Sequence, residues 1–294
     1  MVVGTLAGAS TLGLLIPPSI IMIVYGVAAD VSISQLFIAG VLPGILLAVL
    51  FSGYIALWAL RHPELVPKSI EQFTFLEKIS ASRSLIPVVL LIAAVLGSIY
   101  TGIATATEAA AVGVAGSLIL SAVQGSMDWQ TFKDALMGGT RLYCMIALIL
   151  AGAAFLTLSM GYIGLPRHLA EWIGSLGLNQ AQLVVALALF YIVLGCFLDG
   201  ISMVVLTMGV LMPTVQPAGI DPIWFGIFVA LVVEMAQITP PVGFNLFVLQ
   251  GMTGRQLPWI AKVTMPMFFL MCAAVALIYV FPGIVTWLPQ QMGT

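Results

Sequence analysis

The chain alternates long apolar runs with short polar interruptions, and the runs have the length of membrane-spanning helices, about 20 residues each. The first covers residues 3–28 and is interrupted at Pro17-Pro18; the second covers 36–60. A polar segment, 61–83, holds Arg61, Lys68, Lys78 and Arg83 with three acids. Further runs follow at 85–102, 108–123 and 142–163, the last after a loop expected at 125–139. Residues 165–176, LPRHLAEWIGSL, alternate charge with Leu169, Trp172 and Ile173 at helical spacing, the pattern of a short interfacial helix. The run at 183–213 is long for one span and carries Gly195, Asp199 and Gly200 in its middle. The run at 222–251 is broken at Thr239-Pro240-Pro241, and the last, 259–287, ends near the C-terminus.

Composition agrees with this pattern. Of 294 residues, 62% are hydrophobic and only 7% charged, against about 25% charged in soluble domains. The fold expected is therefore an all-α polytopic membrane protein in one domain, residues 1–294, with no soluble domain of any size. Net charge is −2, and no basic patch with interleaved aromatics suggests nucleic acid. Cys144, Cys196 and Cys272 all sit in apolar runs without CxxC or His spacing, so no disulfide framework or transition-metal site is expected. No Lys or Arg precedes Arg61, so the opening reads as membrane domain rather than signal peptide. HExxH, GxSxG and paired aspartates are all missing, which argues against an intramembrane enzyme.

Cation placement sets the expected topology. With 61–83 on the cytoplasmic side and 183–213 folded as a re-entrant hairpin turning at 195–200, every Lys and Arg except Arg167 falls inside. Were 183–213 a single crossing, Arg255 and Lys262 would fall outside. The charge count favours the hairpin.

Two segments then resemble each other: STLGLLIPPSIIMIVYG at 10–26 and EMAQITPPVGFNLFVLQG at 234–251. Each has a Pro-Pro pair at its midpoint, and the topology runs them in opposite directions, as in inverted repeats. Adjacent prolines remove two N–H donors, so the helix opens there and its freed carbonyls must be buried or line a wet cavity. Such carbonyls, with hydroxyls beside them, can coordinate sodium; a plain proline kink is the other reading. Asp199 is expensive at membrane depth, which points to transport, although an N-cap role is compatible with it. Glu234 could pair with a cation, relay a proton or simply hydrogen-bond inside the bundle; Glu108, after Thr101, Thr105 and Thr107, could form a helix start or a second polar pocket. Asn245 is a plausible amide ligand beside the second break.

Together with GIATATEAAAVG and LGCFLDGISMVVLTMGVLMPTVQPAGIDPIWFGI, these segments resemble the large membrane subunit of the tripartite ATP-independent periplasmic (TRAP) transporters, in the family's order and over the whole chain. The resemblance implies an elevator-type, sodium-coupled symporter for an organic acid such as a C4-dicarboxylate, sialic acid or another sugar acid. It places the chain as a multi-pass protein in the bacterial inner membrane. Its implied partners are a small four-helix membrane subunit and a periplasmic substrate-binding protein, with no cofactor beyond Na+. Residues 1–28 would supply the broken helix of the first repeat, and 181–251 the hairpin and broken helix of the second. Ion-binding and substrate-facing positions carried over are Ser10, Thr11, Gly13, Pro17, Pro18 and Ser19, then Gly195, Asp199, Thr239, Pro240, Pro241, Gly243 and Asn245. Against the family pattern, the chain opens at the broken helix after the first hairpin, and Ala106 stands where TPTEA has proline. Two alternatives remain: an ion-coupled anion carrier that needs no binding protein, and a non-transporting truncated scaffold.

Overall fold

The structure, a computed structural model, describes residues 2–65, 74, 77, 82, 85–240 and 243–292. Every regular element among them is helical. The chain opens with α1 (Val2–Leu15) and α2 (Ile20–Ala29), bent by 42° across the Pro17-Pro18 break. Next come α3 (Ile33–Arg61), α4 (Ile86–Tyr100), α5 (Ala106–Val123), α6 (Trp129–Ile163) and α7 (Leu165–Ser175). The remainder is α8 (Gln180–Leu194), α9 (Gly200–Val215), α10 (Pro222–Gln237), α11 (Phe244–Thr253), α12 (Leu257–Val280) and α13 (Gly283–Met292). By length and composition α3, α5, α6, α12 and the bent pair α1–α2 can each cross a membrane.

Two boundaries differ from the sequence reading. The loop expected at 125–139 is mostly helix, because Asp128 accepts a hydrogen bond from the Thr131 amide at 2.6 Å and so starts α6 at Trp129. The Gln130 amide bonds Asp134 one turn on at 3.0 Å. A polar first stretch disguised a helix that simply begins outside the apolar layer. The last run is two helices rather than one, since Pro282 has no N–H to continue α12 and the chain restarts at Gly283. The interfacial segment is helical as expected, with Arg167 and Glu171 paired at 2.8 Å on its exposed side. Most of the 61–83 segment lies outside the described residues.

Packing divides the chain into two units, residues 1–55 with 145–294, and residues 56–144. In the smaller one, α4 packs on α5, where Gly116 leaves room for Leu91. Its α5 starts with a reciprocal cap: Thr105 accepts from the Glu108 amide while Glu108 accepts from the Thr105 amide at 2.8 Å. Glu108 thereby acts as a helix start, the structural alternative weighed for it above.

The larger unit is built around α10, whose residues from Trp224 to Ala236 are all buried. It packs against α1, α2, α8, α9, α11, α12 and α13. The α1–α12 seam is tight enough that a Cβ on Gly4 would sit 2.1 Å from the Val263 carbonyl oxygen. Small residues at such seams let backbones meet, which is how helices associate where lipid supplies no hydrophobic drive. Trp224 closes the far end by donating its indole N–H to the Ile278 carbonyl at 2.9 Å.

Candidate functional site

The first break is built by its own sequence. Pro17 and Pro18 cannot donate to the carbonyls of Gly13 and Leu14, so the helix stops at Leu15. Ser19 repairs part of the damage: its hydroxyl donates to the Leu14 carbonyl and accepts from the Met22 amide, which makes it the N-cap of α2. Ser19 is buried at the break. Thr11 is fully buried, with its hydroxyl donated to the Gly8 carbonyl at 2.8 Å. Ser10 and Gly13 are exposed; Ser10 donates to Ala7, and no atom of another element lies within 4 Å of where a Gly13 Cβ would be.

The hairpin follows from α8 and α9. Tyr191 and Thr207 share a hydrogen bond of 2.6 Å although they are 16 positions apart; in one continuous helix those positions would be separated by about 24 Å. The chain therefore reverses between them, at the short segment joining Leu194 to Gly200. Arms of 15 and 16 residues reach only about 22–24 Å, less than the roughly 30 Å apolar core. Asp199 caps the returning arm, accepting from the amides of Ile201 at 3.1 Å and Ser202 at 3.2 Å and from the Ser202 hydroxyl at 2.5 Å.

The second break lies between α10 and α11. Thr239 donates its hydroxyl back to Met235 at 2.6 Å, and the Gly243 amide returns to the Thr239 carbonyl at 3.0 Å. A Cβ on Gly243 would lie 2.6 Å from the Gln237 carbonyl oxygen, so this turn admits no side chain. Pro240 is exposed; Pro241 lies outside the described residues. Asn245, two residues after Gly243, has its side-chain N–H₂ buried with no partner among the described residues.

These three breaks meet. The Cys196 thiol donates to the Pro240 carbonyl at 3.5 Å, and a Cβ on Gly195 would lie 2.1 Å from the Ala236 Cβ. A Cβ on Gly200 would meet Val233 at 2.7 Å, Gln237 at 3.1 Å and Ile21 at 3.3 Å. The tip of the hairpin thus rests on the end of α10 and on the start of α2. Register between α2 and α10 is antiparallel: Ile21 shares a neighbour with Val233, whereas Tyr25 meets Gly226 and donates to the Pro222 carbonyl at 2.7 Å. Going back from Ile21 to Pro17 therefore advances along α10 toward Gln237, and both proline breaks fall at about the same level. Gly195 carries a direct test. Gly195→Val overpacks the tip against Ala236, so the purified protein loses about 1–3 kcal/mol of stability while α8 and α9 stay helical by circular dichroism. An unchanged thermal midpoint would mean that the tip does not seat there.

Two polar groups stand out beyond those assigned from sequence. Glu234, rated secondary there, is completely buried, and neither carboxyl oxygen has a hydrogen-bond partner among the described residues. Gln237 escaped the sequence reading altogether. The signal was a single amide ending an otherwise apolar helix face just before the Thr-Pro-Pro break.

Short apolar helices that reverse on themselves, and antiparallel helices broken at one level, fit a multi-pass membrane protein built from broken helices. The chain belongs to the DctM family: a sequence profile of the tripartite ATP-independent periplasmic transporter DctM component matches residues 1–284. It is similar to the C4-dicarboxylate TRAP transporter large permease protein DctM of Pseudomonas aeruginosa, 30% identical across 99% of this chain and 67% of that protein. The ectoine/5-hydroxyectoine large permease UehC of Ruegeria pomeroyi is 34% identical, over 98% of this chain and 67% of its own length. The sialic acid large permease SiaM of Vibrio cholerae is 29% identical, with 98% and 67% covered.

Proposed function

We propose that this chain carries an organic acid across the bacterial inner membrane together with sodium, as the transport subunit of a TRAP-type carrier. A small membrane subunit holds it, and a periplasmic binding protein delivers the substrate. The observation that carries this reading is the meeting of the hairpin tip with two antiparallel broken helices. Broken helix ends leave backbone carbonyls without intrahelical donors, near hydroxyls and the Asp199 carboxylate, and oxygens of this kind suit Na+. Ser19, Asp199, Thr239 and the carbonyls around Pro17-Pro18 and of Pro240 are assigned to the ion; Gly195, Gly243 and Asn245 belong to the same convergence. Alternating access then moves the hairpin and the broken helices as one body, in the elevator manner. Relatives named for C4-dicarboxylates, sialic acid and ectoine support an organic acid as cargo.

Proteoliposomes holding the chain with its membrane partner, supplied with the binding protein, should accumulate one of these acids only under an inward sodium gradient. Equal uptake with potassium replacing sodium would sink the coupling. Equal uptake without the binding protein would favour the simpler anion carrier instead.

A further inference from the structure

We propose that Gln237 is a substrate-selecting residue, whose side-chain amide donates to an acid oxygen of the cargo where the hairpin tip, the first broken helix and the second break converge. This rests on the function proposed above and names a contact within it.

The argument starts from charge. Residues 1–60 and 168–254 contain neither Lys nor Arg, and these segments supply every element of the convergence. Each Lys and Arg among the described residues is exposed. An organic anion entering this site therefore meets no fixed cation. Apart from sodium, its charge must be satisfied by neutral donors, and the donors at hand are nearly all spent. The first amides of α9 are held by Asp199, and the hydroxyls of Thr11, Ser19, Ser202 and Thr239 donate within their own segments. The Asn245 amide is sealed from solvent.

Gln237 is different. It ends a stripe of α10 formed by Ile223, Gly226, Ala230, Val233 and Gln237, at the spacing of one helix face. Higher on that stripe the packing is dense: Gly226 meets Tyr25 and Leu36, and Val233 fills the space beside Gly200. An apolar residue at 237 would have continued the seam. Instead a half-buried amide stands there with no hydrogen-bond partner among the described residues, its Nε2 3.1 Å from the Cβ position of Gly200. On the adjoining tip and break, Phe197, Asp199 and Pro240 are all exposed. A donor with two N–H groups, partly dry and unspent, beside the ion-facing Asp199, is placed to meet a carboxylate whose other side faces sodium. Hydrogen bonds to charged acceptors are about twice as strong as neutral ones, which makes one such donor sufficient to select.

The test measures uptake in the proteoliposomes described above, with succinate, sialic acid and ectoine as probes. Gln237→Met keeps the volume and removes the donor; Gln237→Glu keeps the shape and places a carboxylate against the cargo. Expected results are a rise in KM of about tenfold for Q237M and a larger one for Q237E, with the sodium half-saturation unchanged in Q237M. A role in packing alone predicts wild-type KM for both. A shift in sodium half-saturation without a shift in KM would assign the amide to the ion and overturn the proposal. If Q237E fails to fold, Q237M alone decides between these outcomes. Wild-type proteoliposomes that take up none of the probes would defeat the proposed function and this inference with it, whereas wild-type uptake with an unaltered Q237M would defeat the inference alone.

Discussion

Replacing Glu234 by methionine is expected to raise the melting temperature of the purified protein by several degrees and to reduce uptake at least about tenfold. The two effects have one cause. Both carboxyl oxygens of Glu234 are buried with no partner among the described residues, in a helix buried from Trp224 to Ala236. An unpaired polar group in such a place costs about 1–3 kcal/mol, and an apolar side chain of similar volume removes that cost. A residue that destabilises its own fold marks a place where function sets the choice. Its position one residue after Val233 turns it about 100° from the face that meets the hairpin tip, so its loss should leave the tip seated. Thermal unfolding in detergent and sodium-driven uptake are read on the same preparation. A lower melting temperature would show the carboxyl to be partnered and structural; a higher one with normal uptake would leave the acid without a part in transport.

At Asp199 two roles can be separated by two substitutions. Asp199→Asn retains an oxygen for the Ile201 and Ser202 amides and loses only the charge, so helix α9 stays capped. Sodium half-saturation should then rise at least about tenfold with little change in stability. Asp199→Ala removes cap and charge together and should add a loss of about 1 kcal/mol in stability. Sodium dependence left intact in the asparagine variant would reduce Asp199 to a cap.

Helix class, the two proline breaks and the hairpin are legible in the sequence. The reason is that each is written locally: apolar length, missing N–H donors at Pro17-Pro18 and Pro240, a lone Asp199 between glycines, and a bias of cations to one side. Local polarity also misled. Residues 129–139 mix Gln130, Thr131, Lys133 and Asp134 with a Gly138-Gly139 pair, a loop-like pattern, yet Asp128 caps a helix that begins outside the apolar layer. Pro282 lies inside a run of continuous apolar length, and it splits α12 from α13.

The chain alone thus determined that this is a membrane protein with paired broken helices, since solvent preference and backbone donor loss belong to residues and their immediate neighbours. Only the tertiary structure decided that the breaks lie level and that the hairpin tip rests between them. Those facts depend on close approaches such as Gly195 to Ala236 and Gly200 to Ile21, Val233 and Gln237. It also decided that Glu234 has no partner and that the Gln237 amide is unspent. Contact across 41 or 179 positions has no local signature, because a glycine or a glutamine is compatible with many surroundings until a second helix is laid against it.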